Sequence, residues 1–330
     1  MIEQTREWYR RAERELAATS ARQVEWCAGV ADDPRMLDLL ERVPRPARQP
    51  SLLFAVAAFL GAPDAPYAEW AEAVLARAES LVAELPGRRV QTNEPGRCVP
   101  LVMALDRIPG PLALIELGAS AGLCLIPERY RYRIRTPRGV VELGDGSPLL
   151  EAEADAAPRA LPEIVWRRGI DLAPLDVHDA EAVRWLECSL PPDRPERRAR
   201  LRSALATAAP DAPAVVAGDA LATLPELAAR APANATLVVV SLGTAVYLAP
   251  DDRARMLGEI AALGARAVTF EARSALPTVA RRWDELLAQG AADPNAGFVL
   301  ALDGEPLASG SPHGDRLRST ESRLDRGSGG

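Results

Sequence analysis

The stretch Leu112 to Leu123, LALIELGASAGL, gathers a carboxylate, Glu116, and three small residues at alternate positions, Gly118, Ser120 and Gly122. The apolar run before Glu116 fits a buried strand. A strand that runs into a small-residue turn and a helix brings backbone close to a nucleotide-like ligand. The same letters, Gly118-Ala119-Ser120-Ala121-Gly122, match the G-x-S-x-G nucleophile elbow, which would make Ser120 the nucleophile of a hydrolase and His313 its later histidine. Against that, both x positions are alanine and no glycine run suited to an oxyanion hole precedes them.

Other residues with chemical potential stand at the ends of apolar runs. Asp171 closes IVWRRGID, Asp219 follows Gly218, and Ser241 and Glu271 end two further runs. Asp219 also fits the N-cap of a helix from Leu221, and Asp171 also fits a pair with Arg167 or Arg168. The polar turn QTNEPGR at 91–97 offers Asn93 and Glu94 to orient an amine or hydroxyl, and Arg97 to hold a carboxylate in a fork. His313, in Ser311-Pro312-His313-Gly314, and Tyr247 are the candidate catalytic groups, whereas His178 reads as a surface residue.

Composition removes several chemistries. The chain has no lysine, and all 39 basic residues are arginine, which excludes Schiff-base chemistry, pyridoxal phosphate anchoring and a P-loop lysine. Two histidines exclude a multi-histidine metal site, and the four cysteines form no CxxC pair, so no metal is expected. A net charge of −7 argues against a general nucleic-acid binder, and the alternating Arg and Tyr of 129–133 read as a solvated strand face. There is no apolar run of membrane-spanning length and no secretory h-region near Met1. The expectation is a cytoplasmic protein with a small-molecule partner, reduced thiols, no nucleic acid and no membrane.

These residues need elements to position them. Residues 1–107 read as helical, with segments at 2–18, 22–30, 35–42, 52–60, 68–85 and 98–108. From Leu112 the pattern alternates. Strands are expected at 112–117, 164–171, 214–217, 236–241 and 267–271. Helices are expected at 120–129, 179–186, 196–209, 221–230, 251–263 and 283–289. Strands 298–302 and 306–308 flank Asp303-Gly304 as a hairpin. The predicted fold class is α/β: a Rossmann-like, mostly parallel sheet at 108–314 with a C-terminal β-hairpin and an insertion near 130–163. An α-helical region at 1–107 precedes it as a cap, and 315–330 follows as a disordered tail.

Glu116 to Gly122, with Gly169-Ile170-Asp171 and Gly218-Asp219-Ala220 at later strand ends, resembles the motif series of class I S-adenosylmethionine-dependent methyltransferases, Ser120 replacing the middle glycine. The resemblance implies a methyltransferase-type sheet. It also implies S-adenosylmethionine as cofactor, held by Glu116, Gly118, Ala119, Ser120, Gly122, Asp171, Asp219, Ala220 and Ser241. The gap from Glu116 to Asp171 exceeds the spacing of a compact βαβ unit. Either 130–163 loops out or 130–134 is the second strand.

Over nearly its full length the chain resembles the bacterial DUF2332 family, in QTNEPGR at 91–97, ELGASAGL at 116–123, RYRYR at 129–133, WRRGIDLAPLDV at 166–177, GDAL at 218–221 and SPHG at 311–314. That resemblance implies a methyltransferase-like fold and assigns no reaction. The leading expectation is a methyltransferase acting on an O or N nucleophile of a small molecule. The alternatives are a non-catalytic ligand-sensing or partner-binding protein on the same fold, and a Ser120 hydrolase.

Overall fold

The computed structural model describes residues 2–17, 19–91 and 93–320. Thr92 of the polar turn, and the expected tail from 321 onward, lie outside the described residues. The first helices are α1 (Ile2–Leu16), α2 (Ala21–Asp32), α3 (Pro34–Glu41), α4 (Pro50–Phe59), α5 (Tyr67–Leu75), α6 (Ala78–Glu84) and α7 (Cys98–Leu105). Their starts are chemically marked. The Ser20 hydroxyl accepts from Gln23 N above α2, and Asp33 accepts from Arg35 N with Pro34 at the first position of α3. The single helix expected at 68–85 is two, α5 and α6.

The chain then alternates. β1 (Leu112–Leu117), β2 (Arg131–Thr136), β3 (Gly139–Leu143), β4 (Leu149–Ala154) and β5 (Ile164–Asp171) precede α8 (Ala180–Cys188) and α9 (Pro195–Ala208). β6 (Val215–Ala217), α10 (Ala220–Ala228), β7 (Thr236–Leu242), α11 (Pro250–Ala262), β8 (Arg266–Ala272) and α12 (Pro277–Ala288) follow, and then β9 (Phe298–Leu302), β10 (Glu305–Gly310) and β11 (Arg316–Ser319). Two compact units result. Residues 1–92 and 178–199 form a helical unit, and 93–177 and 200–330 form a sheet unit. No helix of the described residues is long and apolar enough to cross a membrane.

In the helical unit the core is aromatic. Trp26 stacks on Trp70 with centroids 4.6 Å apart, and Phe54 meets Trp26 at 5.4 Å and Trp70 at 5.8 Å, edge to face. All three are buried. Such pairs contribute about 0.5–1.5 kcal/mol each beyond their buried area.

The sheet unit holds one sheet of eleven strands in the order β3-β2-β4-β11-β10-β9-β8-β7-β1-β5-β6. β6, β5, β1, β7 and β8 run parallel, and β9 is antiparallel to β8. β1 sits between β5 and β7 with all six residues buried, as its continuous apolar run requires of a strand covered on both faces. The chain builds outward from β1 through β5 to β6, then returns to β7 on the other side. The strand order therefore reverses beside β1, where open α/β sheets bind ligands at their carboxyl ends.

Four expectations are corrected. The helix at 120–129 is replaced by two 3-10 turns, Leu123–Leu125 and Pro127–Arg129. Ser120 at φ +53° and Gly122 at φ +73° are left-handed, and Pro127 lacks an N–H, so no α-helix propagates. Segment 130–163 does not loop out, and 130–134 is not the strand beside β1. β5 takes that place, while β2, β3 and β4 extend the far end of the sheet. On β2, Tyr132 and Ile134 are buried while Arg131 and Arg133 pair with Glu142 of β3, and Arg133 with Glu151 of β4, the period-2 alternation of a half-solvated strand. Residues 316–319 are not tail but β11, bridging β10 and β4. The boundary near 107 falls instead at 92, because apolar α7 packs on β8 and β9, and 178–199 belongs with the helices.

Trp70→Ala is expected to destabilise the helical unit by about 3–5 kcal/mol in a urea titration. Arg133→Ala, which cuts exposed ion pairs, is expected to move the curve far less. Comparable losses in the two variants would contradict an aromatic core.

Candidate functional site

The turn that leaves β1 shapes the site. Gly118 (φ +71°), Ser120 and Gly122 alternate as left-handed residues, and a Cβ on Gly118 would lie 2.2 Å from Thr244 Oγ1. Only glycine satisfies both demands at 118. With no helix to follow, the turn's amides are taken up locally. Gly118 N and Ala119 N donate to the Ile170 carbonyl, Ser120 N to Asp171 Oδ2 at 2.8 Å, Gly122 N to the Ala119 carbonyl, and Leu123 N to Asn93 Oδ1 at 2.9 Å. Five of these backbone donors thus serve the fold and not a ligand.

The strand-end acids divide. Asp171 also accepts from Ala173 N at 2.9 Å, so both of its oxygens hold backbone, and it makes no pair with Arg167 or Arg168. Asp219 caps α10, its Oδ1 accepting from Leu221 N and Ala222 N, with Ala220 opening the helix. It borders a cavity of about 490 Å3 between α10 and α11. Glu116 is different. It is 3% exposed, and its Oε2 is buried with no hydrogen-bond partner. Burial pushes its carboxyl well above the ordinary range, Cys124 adds to the rise, and Arg97 opposes it.

On the β7 and β8 side, Glu271 Oε1 gathers four donors: the Ser241 hydroxyl at 2.6 Å and the amides of Gly243, Thr244 and Ala245 at 2.9–3.1 Å. Burial raises this carboxyl too, against the pull of those donors and of Arg97. Arg97 donates to the carbonyls of Leu242 and Pro312. It crowds Gly243, whose Cβ would lie 2.5 Å from Arg97 Nη1.

The polar turn and the SPHG turn interlock. A Cβ on Gly96 would meet the His313 carbonyl at 2.2 Å, and one on Gly314 would meet the Gly96 carbonyl at 2.1 Å. Buried Glu94 accepts from Gly96 N and Arg200 Nε through Oε1, while its Oε2 lies 3.8 Å from His313 Nδ1. Asn93 donates to the Ala119 carbonyl and so positions the turn.

The fold therefore brings Asn93, Glu94, Arg97, Glu116, Ser120, Asp171, Ser241, Glu271 and His313 to the carboxyl ends of the central strands or to the turns against them. It leaves Asp219 at the edge strand and Tyr247 74% exposed after β7. Ser120 is 3% exposed and followed by a 3-10 turn, unlike the exposed serine of a strand-to-helix elbow. Arg200 went unnoticed in the sequence because it is one arginine among several on α9, with no local pattern to separate it. Among the described residues no group of three or more His, Cys, Asp or Glu could hold a metal ion.

Asp171→Ala leaves the amides of Ser120 and Ala173 without acceptors, and a loss of about 1–3 kcal/mol is expected in a denaturant titration. For Glu116 the raised carboxyl sets the sign. The folded chain keeps the proton to higher pH than the unfolded one, whose carboxyl titrates near about 4.3. Stability therefore falls as pH rises through the folded value. Glu116→Gln removes that loss, so its melting temperature is expected to match the parent's near pH 4 and exceed it increasingly toward pH 8. A pH-independent difference would refute this reading.

No curated protein and no solved structure matches the chain. A family model described as an uncharacterized protein conserved in bacteria matches residues 6–318. With nearly the whole chain covered, and the interlocked turns and the β1 exit both inside the matched span, the chain belongs to the DUF2332 family.

Proposed function

We propose that the sheet unit binds S-adenosylmethionine at the exit of β1 and transfers its methyl group to an O or N nucleophile of a small molecule. The observation that carries this reading is Glu116: a buried carboxylate with an unpartnered oxygen, on the central strand, where the strand order reverses. A buried carboxylate without a full set of donors is costly, and a ligand's ammonium group offsets that cost. The small residues Gly118 and Ala119 keep side chains out of the turn. Asp171 and Asp219, whose oxygens accept backbone amides, retain further lone pairs for hydroxyl or amine donors.

When bound, the cofactor supplies an electrophilic methyl group on a sulfonium. The chain's own task is orientation and proton handling. Glu94, fixed by Gly96 and Arg200, lies 3.8 Å from His313 Nδ1, and its charge favours the imidazolium that forms when His313 accepts a proton from the nucleophile.

A second reading is a non-catalytic ligand-binding protein on the same scaffold. It is favoured by the use of the turn's amides and of Asp171 and Asp219 as structural acceptors. Calorimetry and methyl-transfer assays separate the two. The parent chain is expected to bind S-adenosylmethionine, with affinity rising with pH as the raised Glu116 carboxyl gives up its proton. Glu116→Gln is expected to weaken binding by about tenfold or more and to flatten that pH dependence. His313→Gln should lower methyl transfer while leaving cofactor affinity unchanged. Absence of binding by the parent chain would sink the proposal. Binding without transfer across a broad panel of small alcohols, amines and acids would favour the second reading.

A further inference from the structure

The helical unit contains a cavity of about 310 Å3, at the lower end of the roughly 300–1,000 Å3 typical of small-ligand pockets. One wall is the aromatic cluster of Trp26, Phe54 and Trp70. The lining also includes Arg184, Glu187 and Cys188 of α8 and Arg198 of α9. The cavity opens to the surface at Pro63, Asp64 and Arg184, which are exposed, while its aromatic wall is buried.

The charges on the lining are unequally committed. Asp64 is paired with Arg22 at 3.0 Å. Arg184 donates to the Phe59 carbonyl and lies 4.6 Å from the centre of the Phe59 ring. Arg198 Nε is buried and has no hydrogen-bond partner among the described residues. With Asp64 neutralised by Arg22, two guanidiniums stand against the single carboxylate Glu187. At Cys188 burial pushes the thiol up, Arg184 and Arg198 pull it down, and Glu187 opposes them. A buried guanidinium N–H lacking an acceptor is destabilising, and an anionic oxygen delivered by a ligand removes the penalty. A flat apolar body belongs against the indole and phenyl faces.

We propose that this cavity binds a small planar aromatic anion, its ring against Trp26 and Phe54 and its carboxylate on Arg198. The site lies wholly within the helical unit and is independent of the methyltransferase reading.

Calorimetry of the full chain with 4-nitrobenzoate, compared with its neutral counterpart 4-nitrobenzamide, tests this. The carboxylate is expected to bind saturably and about tenfold or more tightly than the amide, the margin one charge-assisted hydrogen bond provides. Arg198→Gln, with its fold verified by circular dichroism, should abolish that preference and leave 4-nitrobenzamide binding unchanged. Quenching of tryptophan fluorescence by 4-nitrobenzoate should fall in Trp26→Phe. No saturable binding of 4-nitrobenzoate, equal affinity for the two probes, or a preference that survives in Arg198→Gln would each overturn the proposal. The comparison of probes on the parent chain stands even if a variant fails to fold.

Discussion

The central strand ends without a helix to receive it, and that constraint organises the sheet unit. After Leu117 the backbone passes through three left-handed residues and exposes a run of N–H donors that an α-helix would otherwise absorb. They are satisfied from three directions: by the Ile170 carbonyl, by Asp171 at the end of β5, and by Asn93 from the polar turn. Asn93 closes the circuit by donating back to the Ala119 carbonyl. Residues distant in the chain are thereby tied to one small turn. The order of the pieces follows from satisfying buried backbone and not from hydrophobic burial alone.

A second tie works the same way on the neighbouring strands. Glu271 gathers one hydroxyl and three amides on a single oxygen, which shapes the segment after β7 around the end of β8. Arg97 bridges that segment to the SPHG turn through two carbonyls, not through a carboxylate. Its charge nevertheless counters the burial of both Glu116 and Glu271. One guanidinium thus serves as a backbone donor and as the local counter-field for two buried acids, an arrangement that low-dielectric surroundings strengthen.

The helical unit follows a different logic. Its cohesion comes from stacked and edge-on aromatic rings, with Trp26 also anchored through its indole N–H to the Ala65 carbonyl. Where arginines border those rings, stacking takes part of the role that ion pairs fill elsewhere, as with Arg88 and Arg184 over Phe59. In a chain without lysine every cation is a planar guanidinium, so this mode is available wherever a cation meets a ring.

Much of the fold was legible from residue patterns alone. The β-branched run TLVVVS became β7, the Asp303-Gly304 dipeptide became a hairpin turn, and Asp219 became an N-cap, because each depends on local sterics and local hydrogen bonding. The candidate site was legible in its residue types and less so in their roles. Glu116, Gly118 and His313 could be singled out from the chain, whereas Asp171 and Asn93 proved to be acceptors for the β1 exit turn. The sequence by itself determined the alternation of strands and helices, the buried central strand and the absence of lysine and multi-histidine chemistry, since these follow from side-chain type and spacing. Only the tertiary structure decided that the turn is followed by 3-10 turns, that residues 130–154 and 316–319 join the same sheet, and that Glu94, Arg200 and His313 meet. Those outcomes depend on which distant groups come within hydrogen-bonding reach, and spacing along a chain carries no measure of that distance.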